Sequence, residues 1–402
     1  MIKNNSSSAI PHTAGNKSTI ILSTLECREE EWPTVLEPAV DQLKQGQPVA
    51  IPTETVYGLA ANALDPQACQ RIYDTKNRPA DNPLIVHISS LDMLRTLVRP
   101  DPSPRTHQDD ILDELAIPLS LKPVLRRFWP GPLTVLLPKK ESVPNVVTAG
   151  LDTVAVRFPA HPIARKIIEL CEFPLAAPSA NLSGRPSPTS AQHVLEDLNM
   201  RVSVIVDAGP SSFGLESTVL DANRNPPLIL RPGSITARML QPYLPAIKVF
   251  KKSDVDLLVT PEEMKQMEER PATPGMKYRH YSPTSPLILF HGDPTDVDGA
   301  AVELEIQRFI RAELDAGKRI ARLSLCPTLL PPQSECYWEF PLSATGVPEE
   351  IAKNLFAGLR AADLMQPDLI VTQSLVAEDE GLAIMNRLEK AASIHRHIVL
   401  EN

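Results

Sequence analysis

The chain has 402 residues, 43% of them hydrophobic and 22% charged, which is enough for two or more domains with full hydrophobic cores. The formal net charge of -9 argues against a general electrostatic grip on nucleic acid but does not exclude a local basic pocket. The 41 prolines, about twice the usual share, predict many rigid turns and argue against an all-helical protein.

Residues 1–19 are polar and rich in Ser and Asn, so we expect a disordered N-terminal tail rather than a targeting signal. No apolar run reaches the ~18 residues of a membrane span. The cysteines are odd in number, far apart and without a C-x-x-C pair. We therefore expect a cytoplasmic protein with no disulfide framework and no metal site held by the protein.

Residues 20–245 contain apolar, strand-like runs that alternate with helix-like stretches, which predicts an α/β domain with a mixed, twisted sheet. The two clearest helical stretches are HPIARKIIELC and SAQHVLEDL, the second capped by Thr189 or Ser190. The strand-like runs are VAIPTETVYGLA, NPLIVHIS, LTVLLPK, TVAVRFP, PLAAPS, VSVIVDAG, STVLDA and LILRPG.

Two loop-like regions interrupt this pattern. Residues 99–122 read as an insertion, and residues 246–285, which contain PGMKYRHYSP, read as a linker between domains. Residues 286–402 predict a smaller, Rossmann-like α/β domain, with a helix over 297–316 that ends at Gly317. This domain has no G-x-G-x-x-G motif, so a dinucleotide there is unsupported.

The stretch TKNRPADNPLIVHISS places polar residues within and beside an apolar strand. Lys76 and Arg78 lie on the turn, Asn82 follows, and His87 stands in the strand itself. A purely structural strand has no need of a histidine there, so this stretch resembles a ligand site more than a scaffold.

Three arginines are each followed, within two residues, by a proline. Arg78, Arg157 and Arg231 occur in KNRP, VAVRFP and LILRPG, and we expect each at or near the end of a strand. Ligands of open α/β sheets bind outside the carboxyl ends of strands, and arginines there can clamp phosphate or carboxylate. The alternative is three unrelated arginines that face solvent.

Small polar residues mark three further segments. Ser179, Asn181 and Ser183 in APSANLSG could present hydroxyls and an amide to a ligand, and DAGPSSFGLESTVLD could offer backbone N–H groups to an anion. In PTETVYG the two-residue period of a strand puts Thr53 and Thr55 on one face. Ordinary turns and a Thr-rich strand would give the same compositions.

Several enzyme classes lack their motifs. The chain has no Walker A sequence, no H-E-x-x-H and no G-x-S-x-G, and no Cys or Ser is marked as a nucleophile. The remaining set of cations, hydroxyls and one histidine suits binding and charge stabilisation of phosphates better than covalent catalysis.

Taken in order, PTETVYGL, KNRP, WPGPLT, VAVRFPAHP, APSANLSG, GLESTV and LRPG resemble the YrdC-like family. The later PGMKYRHYSP and the smaller α/β domain resemble its two-domain form, the threonylcarbamoyl-AMP synthases. The resemblance implies a twisted α/β sheet with a positive concave cleft. It also implies synthesis of L-threonylcarbamoyladenylate from L-threonine, bicarbonate and ATP, with release of pyrophosphate, for tRNA threonylcarbamoyladenosine formation.

The resemblance also assigns expected roles by motif. Lys76 and Arg78 would act on the phosphates, with Mg²⁺ accompanying ATP. The residues expected to bind L-threonine are Thr55, His87, Arg157, Ala177 and Ser217. The residues expected to bind ATP are Arg78, Asn82, Thr153, Ser179, Asn181, Ser187 and Arg231, with Tyr278 and His280 as a lid. Expected partners are the downstream tRNA threonylcarbamoyl-transfer machinery and a weak RNA contact.

Two other readings remain at this point. One is an RNA-binding module that uses a basic concave cleft without chemistry. The other is a carbamoyl-transfer domain with a different acceptor, as in hydrogenase maturation. The acidic net charge, Thr55, His87 and the lid segment favour the synthase over the first. The absence of zinc-finger and acylphosphatase-type segments counts against the second.

Overall fold

A computed structural model describes residues 18–102, 110–250, 271, 273, 280–292, 300–328 and 334–398. The fold contains two separate β-sheets, one of eleven strands and one of five. This confirms the prediction of a mixed-sheet α/β fold followed by a smaller α/β unit. The domain limits 20–245, 246–285 and 286–402 stay a prediction, and residues 1–17 of the expected tail lie outside the described residues.

The large sheet is mixed, with parallel and antiparallel neighbours, in the order β1-β8-β2-β3-β7-β4-β6-β5-β9-β10-β11. Its strands are β1 Ile20–Ser23, β2 Val49–Ile51, β3 Gly58–Asn62, β4 Ile85–His87, β5 Leu133–Pro138, β6 Thr153–Arg157, β7 Leu175–Ala176, β8 Val204–Asp207, β9 Thr218–Asp221, β10 Leu228–Arg231 and β11 Lys248–Val249.

Helices accompany this sheet, and several begin at the caps that sequence chemistry favours. Asp65 accepts hydrogen bonds from the N–H groups of Gln67 and Ala68, and Ser190 accepts one from His193, as expected for N-caps. The α-helices are α1 Trp32–Lys44, α2 Pro66–Lys76, α3 Leu94–Leu97, α4 Ile111–Glu114, α5 Leu121–Phe128, α6 Asn145–Thr148, α7 Pro162–Cys171, α8 Ala191–Leu198 and α9 Ala237–Leu240, with 3₁₀ turns at Glu29–Glu31 and Leu91–Met93.

The register of the central strands sets the position of the predicted site residues. His87 of β4 pairs with Arg157 of β6 in a parallel ladder, and Arg157 pairs with Thr134 of the antiparallel β5. Leu133 of β5 pairs with Thr218 of β9. The ends of these strands therefore bring His87, Arg157 and the start of β9 to one edge of the sheet.

Two expectations about local structure are wrong. Arg78 does not end a strand: α2 stops at Lys76, Asn77 takes a left-handed φ of 51°, and Arg78 follows. The run PTETVYG is not a continuous strand either, because β2 ends at Ile51 and β3 starts at Gly58. Pro52 cannot donate to a β ladder, so the chain leaves the sheet at the threonines.

The second sheet is parallel throughout, in the order β14-β13-β15-β12-β16. Its strands are β12 Leu287–His291, β13 Ile320–Ser324, β14 Tyr337–Pro341, β15 Leu369–Gln373 and β16 Ile394–His397. The helices are α10 Ala300–Asp315, α11 Pro348–Leu364 and α12 Asp379–Ala391. Residues 297–299 of the helix predicted over 297–316 lie outside the described residues, and Gly317 has the left-handed φ, +82°, of a helix end.

The two sheets belong to units that share apolar contacts. Val56 and Leu215 of the first unit pack in the same cluster as Ile351 and Phe356 of α11. Gly214 meets α11 directly: a Cβ there would lie 2.2 Å from the carbonyl oxygen of Lys353, and its φ is +74°. In the described part of the chain, no helix has the length and apolar character needed to cross a membrane.

Candidate active site

A cavity of about 60 Å³ lies where β4, β6 and β10 end. It combines three arginines with hydroxyl groups and two histidines from the predicted set. The predicted residues that line it are Thr55, Arg78, His87, Arg157, Ala177, Ser179, Ser217, Arg231 and His280. Segments separated by more than two hundred residues in the chain, from Thr55 to His280, thus converge on one site.

Arg157 is the centre of a buried polar group in one wall. Its guanidinium lies 2.7 Å from a carboxylate oxygen of Glu54 and donates to the hydroxyl of Thr55, also at 2.7 Å. Burial opposes ionisation of Glu54, but Arg157 and the N–H of Ala160 prevail and hold its pKa below the ordinary value. Thr55 therefore lines the cavity with its hydroxyl held by Arg157, which is itself paired with Glu54.

Arg231 and Ser217 form another wall. The guanidinium of Arg231 donates to the carbonyl oxygen of Ser217 at 3.0 and 3.1 Å, and the hydroxyls of Ser217 and Thr134 are 2.7 Å apart. Burial lowers the pKa of Arg231 from its ordinary value. The backbone and the hydroxyl of Ser217 thus hold the guanidinium of Arg231 at the cavity wall.

Arg78 enters the cavity from the turn after α2. Its Nε and one Nη donate to the carbonyl oxygens of Asn82 and Pro83 at 3.2 and 2.9 Å. Burial lowers its pKa to about 10, which leaves it charged at neutral pH. Asn82 therefore supports Arg78 through its backbone, while its own buried Oδ1 makes no hydrogen bond with any described residue.

His87 is a neutral imidazole in this site. Its Nδ1 lies 3.2 Å from the carbonyl oxygen of Ile85, and the backbone of Leu175 also contacts the ring. Burial, with Arg157 nearby, lowers its pKa to about 3. His87 therefore adds a polar group to the cavity without a fourth positive charge.

Lys76 supports the loop beside the cavity rather than facing into it. Its buried ammonium donates to the carbonyl oxygens of Ser179 and Asn181, and burial lowers its pKa well below the ordinary value. Within the loop, the hydroxyl of Ser179 donates to Oδ1 of Asn181 at 2.5 Å, and the amide of Asn181 donates to Leu182 and Arg185. Hydrogen bonds from Lys76 and within the loop thus hold the loop after β7 in place.

The remaining predicted residues that the structure describes do not line the cavity. Lys76, Asn82 and Asn181, described above, are among them. Ser187 is buried and donates its hydroxyl to Glu216, and Thr153 starts β6 at the opposite end from Arg157. Tyr278 lies outside the described residues. None of these placements tests the assigned roles in ligand binding, which stay predictions.

The sequence-based prediction missed two glutamates and a tyrosine at the site. Glu54 pairs with Arg157, Glu216 lines the cavity, and Tyr281 lines it next to His280. Tyr281 is 5% exposed, and its ring centroid lies 5.2 Å from that of Phe356. The signal for Glu54 and Glu216 was their place inside PTETVYG and GLESTV, where a carboxylate stands directly beside a threonine or a serine.

Buried histidines predict a loss of stability below neutral pH. Burial lowers the pKa of His87 to about 3 and of His193 and His280 to about 4, whereas unfolded histidine titrates near 6.5. Between these values the unfolded chain binds protons that the folded chain does not, so the free energy of unfolding should fall as pH falls through 6.5 towards 4.

Urea unfolding at pH 7.5 and pH 5 would measure this loss. His193 lies outside the cavity, and its Nδ1 accepts from the N–H of Thr189 at 3.2 Å. The variant His193→Gln can keep an acceptor there but cannot titrate, so its pH dependence should be shallower by up to one proton. Equal unfolding free energies at the two pH values would contradict the prediction.

The described residues contain no group of three or more His, Cys, Asp or Glu side chains that could hold a metal ion. The two carboxylates nearest the cavity, Glu54 and Glu216, are each paired with an arginine. The chemistry of this site therefore favours anions as ligands of the protein itself.

Comparisons with known proteins agree with this geometry over nearly the whole chain. The model of the Sua5, YciO and YrdC family, described as "Telomere recombination", matches residues 41–233, and a model described as "Threonylcarbamoyl-AMP synthase, C-terminal domain" matches residues 235–393. Threonylcarbamoyl-AMP synthase of Pyrococcus abyssi is 42% identical over 375 residues, or 93% of this chain and 98% of the relative. That of Schizosaccharomyces pombe is 43% identical over 90% of each chain.

The crystal structure of P. abyssi Sua5 complexed with L-threonine superposes with a TM-score of 0.79 at 40% identity, covering 95% of this chain and all of the other. These relatives are named as enzymes, and none of this supports the reading as an RNA-binding module. The chain belongs to the family of two-domain threonylcarbamoyl-AMP synthases, in which a Sua5/YciO/YrdC domain precedes a dedicated C-terminal domain.

Proposed function

We propose that this protein makes L-threonylcarbamoyladenylate from L-threonine, bicarbonate and ATP and releases pyrophosphate. The observation that carries the proposal is the convergence of Arg78, Arg157 and Arg231 on one cavity that also presents Thr55 and His87. All three substrates are anions or carry an anionic group, and their mutual repulsion is the main obstacle to bringing them together.

The two walls of the cavity suit different substrates. L-Threonine binds at the Thr55, His87 and Arg157 wall, where the arginine pairs with its carboxylate. Ala177 completes this half, and Ser217 contacts L-threonine from the wall that it shares with Arg231. ATP binds along Arg78 and Arg231, with Ser179 beside it. Asn82, Thr153, Asn181 and Ser187 are proposed to shape or reach the nucleotide, although they do not line the cavity.

No enzyme nucleophile is needed for the reaction. The amine of L-threonine combines with bicarbonate to form a carbamate and water. A carbamate oxygen then attacks the α-phosphorus of ATP, the bond from that phosphorus to the bridging oxygen breaks, and pyrophosphate leaves with those electrons. The arginines stabilise the charge on the transferring phosphate and hold the reactants in line, while burial limits competing hydrolysis.

Magnesium is proposed to arrive with the nucleotide, where it would neutralise phosphate charge. The site gives it no cage of carboxylates, since Glu54 and Glu216 are committed to Arg157 and Arg387. The residues of the chain therefore contact the phosphates directly, and Arg78 and Arg231 supply the fixed positive charge.

The segment that carries His280 and Tyr281 is proposed to act as a lid. The cavity of about 60 Å³ is far smaller than the roughly 300 Å³ or more of a typical ligand pocket, and both side chains line it. Withdrawal of these residues would enlarge the site for ATP, and their return would exclude water. The predicted partner Tyr278 lies outside the described residues.

The product would pass to the machinery that transfers threonylcarbamoyl to tRNA, with at most a weak RNA contact by this chain. We place the protein in the cytoplasm, because all five cysteines are free, as in reducing compartments.

Pyrophosphate release from ATP by the purified protein tests the function. We expect release that requires both L-threonine and bicarbonate, with threonylcarbamoyladenylate as the second product by mass spectrometry. Release without threonine would indicate another acceptor. If a folded protein gave no release under any of these conditions, the proposal would be wrong.

A further inference from the structure

The C-terminal unit reaches the cavity through a buried arginine that the proposed reaction does not use. Arg387 of α12 has no solvent exposure, and its Nε donates to a carboxylate oxygen of Glu216 at 3.1 Å. The other carboxylate oxygen of Glu216 accepts the hydroxyl of Ser187. One carboxylate thus bridges the C-terminal arginine and the loop before α8.

Arg387 also binds the backbone of both chain segments that form the wall of Arg231 and Ser217. It donates to the carbonyl oxygen of Pro232, directly after Arg231, and to that of Glu216, directly before Ser217, the latter at 3.3 Å. Arg231 in turn donates to the carbonyl of Ser217. Arg387 therefore fixes the two chain segments whose side chains form this wall.

A stabilising role alone does not explain the arrangement. The contact between the two units already has apolar packing through Val56 and Leu215, and a buried ion pair is often no more stabilising than apolar residues of the same volume. What the guanidinium adds is direction, since its planar fork holds several acceptors in one geometry. The guanidinium carbon of Arg387, Cζ, also lies 5.9 Å from the ring centroid of Tyr281, another lining residue.

We propose that Arg387 is a positioning residue for the nucleotide half of the cavity, acting from the C-terminal unit through Glu216 and the carbonyl groups next to Arg231 and Ser217. The inference rests on the proposed function only in taking ATP as the ligand of this wall. It gives the C-terminal unit a defined part in substrate binding.

Equilibrium binding of MgATP, measured by calorimetry, tests the proposal without any need for turnover. Arg387→Met should weaken ATP binding by about 10–100-fold, since small displacements of positioned groups cost that much. Arg387→Lys keeps the positive charge but not the planar guanidinium, so its ATP affinity should lie between those of Arg387→Met and the wild type. Arg322→Met is the matched control, because Arg322 is a buried arginine of the same unit that donates to the carboxylate of Glu303 at 3.0 Å. Neither Arg322 nor Glu303 lines the cavity.

Coupling distinguishes positioning from general destabilisation. If Arg387 acts through Arg231, ATP affinity in the double variant Arg387→Met/Arg231→Ala should match that of Arg231→Ala alone within about twofold. Arg322→Met should lower the melting temperature but leave ATP affinity unchanged. ATP binding by folded Arg387→Met and Arg387→Lys within twofold of wild type would overturn the proposal, as would independent, multiplying losses in the double variant.

The outcome is separable from that of the proposed function. If the wild type binds ATP but releases no pyrophosphate, the function fails while the positioning role is still measured. If the folded wild type does not bind ATP at all, both proposals are wrong.

Discussion

The variant Arg78→Ala is expected to release pyrophosphate about 10²–10³-fold more slowly than the wild type at saturating L-threonine, the usual cost of removing one charge-stabilising donor. Two backbone carbonyls orient Arg78, and burial, which lowers its pKa to about 10, still leaves it charged at pH 7. Its charge is therefore in place before the substrates arrive. Initial rates of ATP-dependent, threonine-dependent pyrophosphate release would measure the loss.

A control separates this effect from a loss of folding. Arg127 is an exposed arginine of α5 whose guanidinium stacks over Phe128, away from the cavity. Arg127→Ala should keep its rate within about twofold of the wild type, as expected for an exposed substitution. Arg78→Lys should recover only part of the rate, because a point charge cannot reproduce the fork. A folded Arg78→Ala variant with activity within a few-fold of wild type would refute the assignment.

The sequence predicts those residues of this site that stand in a recognisable local pattern. Arg157 and Arg231 each end an apolar run and precede a proline within two residues, and the structure places both at the end of a strand. The helix cap at Ser190 follows from the same kind of local chemistry. Such features depend on neighbouring residues, so one sequence is enough to find them.

Features that depend on distant partners were missed. Glu216 and Arg387 are 171 residues apart, and nothing near either residue indicates the other. On an amphipathic helix an arginine is most often a solvated residue, and only the docking of α12 shows that Arg387 is buried. Arg360 of α11 repeats the pattern with Asp197, at 2.8 Å.

The two-residue period failed at Thr53–Val56 for a different reason. The period holds only where a strand continues, and Pro52 ends the ladder before the threonines. In the resulting turn Glu54 and Thr55 both contact the same buried arginine, Arg157. The period of a strand would have placed these two side chains on opposite faces. An irregular turn at a strand end is thus where sequence period is least informative and where this site is built.

The variant Glu54→Gln is expected to lower the free energy of unfolding by about 3–5 kcal/mol, because it leaves Arg157 buried without its counter-charge. Both side chains are almost fully buried, at 7% and 4% exposure, and the guanidinium lies 2.7 Å from the carboxylate. The depressed pKa of Glu54 means that this contribution exists above its unfolded pKa and is lost as pH falls through the folded one. Urea unfolding at pH 7.5 would measure it.

L-Threonine should restore more stability to Glu54→Gln than it adds to the wild type. In the variant the substrate carboxylate becomes the counter-charge of Arg157, whereas in the wild type it shares the guanidinium with Glu54. At a fixed threonine concentration the melting temperature of the variant should therefore rise further, following RT ln(1 + [L]/Kd). L-Threonine methyl ester, which lacks the carboxylate, should show no such difference.

The matched variant Glu303→Gln breaks a different arginine–carboxylate pair, that with Arg322, and neither of these residues lines the cavity. It should lower stability but leave the threonine-induced rise equal to that of the wild type. A smaller rise in Glu54→Gln than in the wild type would mean that Glu54 itself binds the substrate, through the ammonium group. In that case the carboxylate of threonine would have to be recognised by Arg231 or Ser217, and the assignment of the two walls would be reversed.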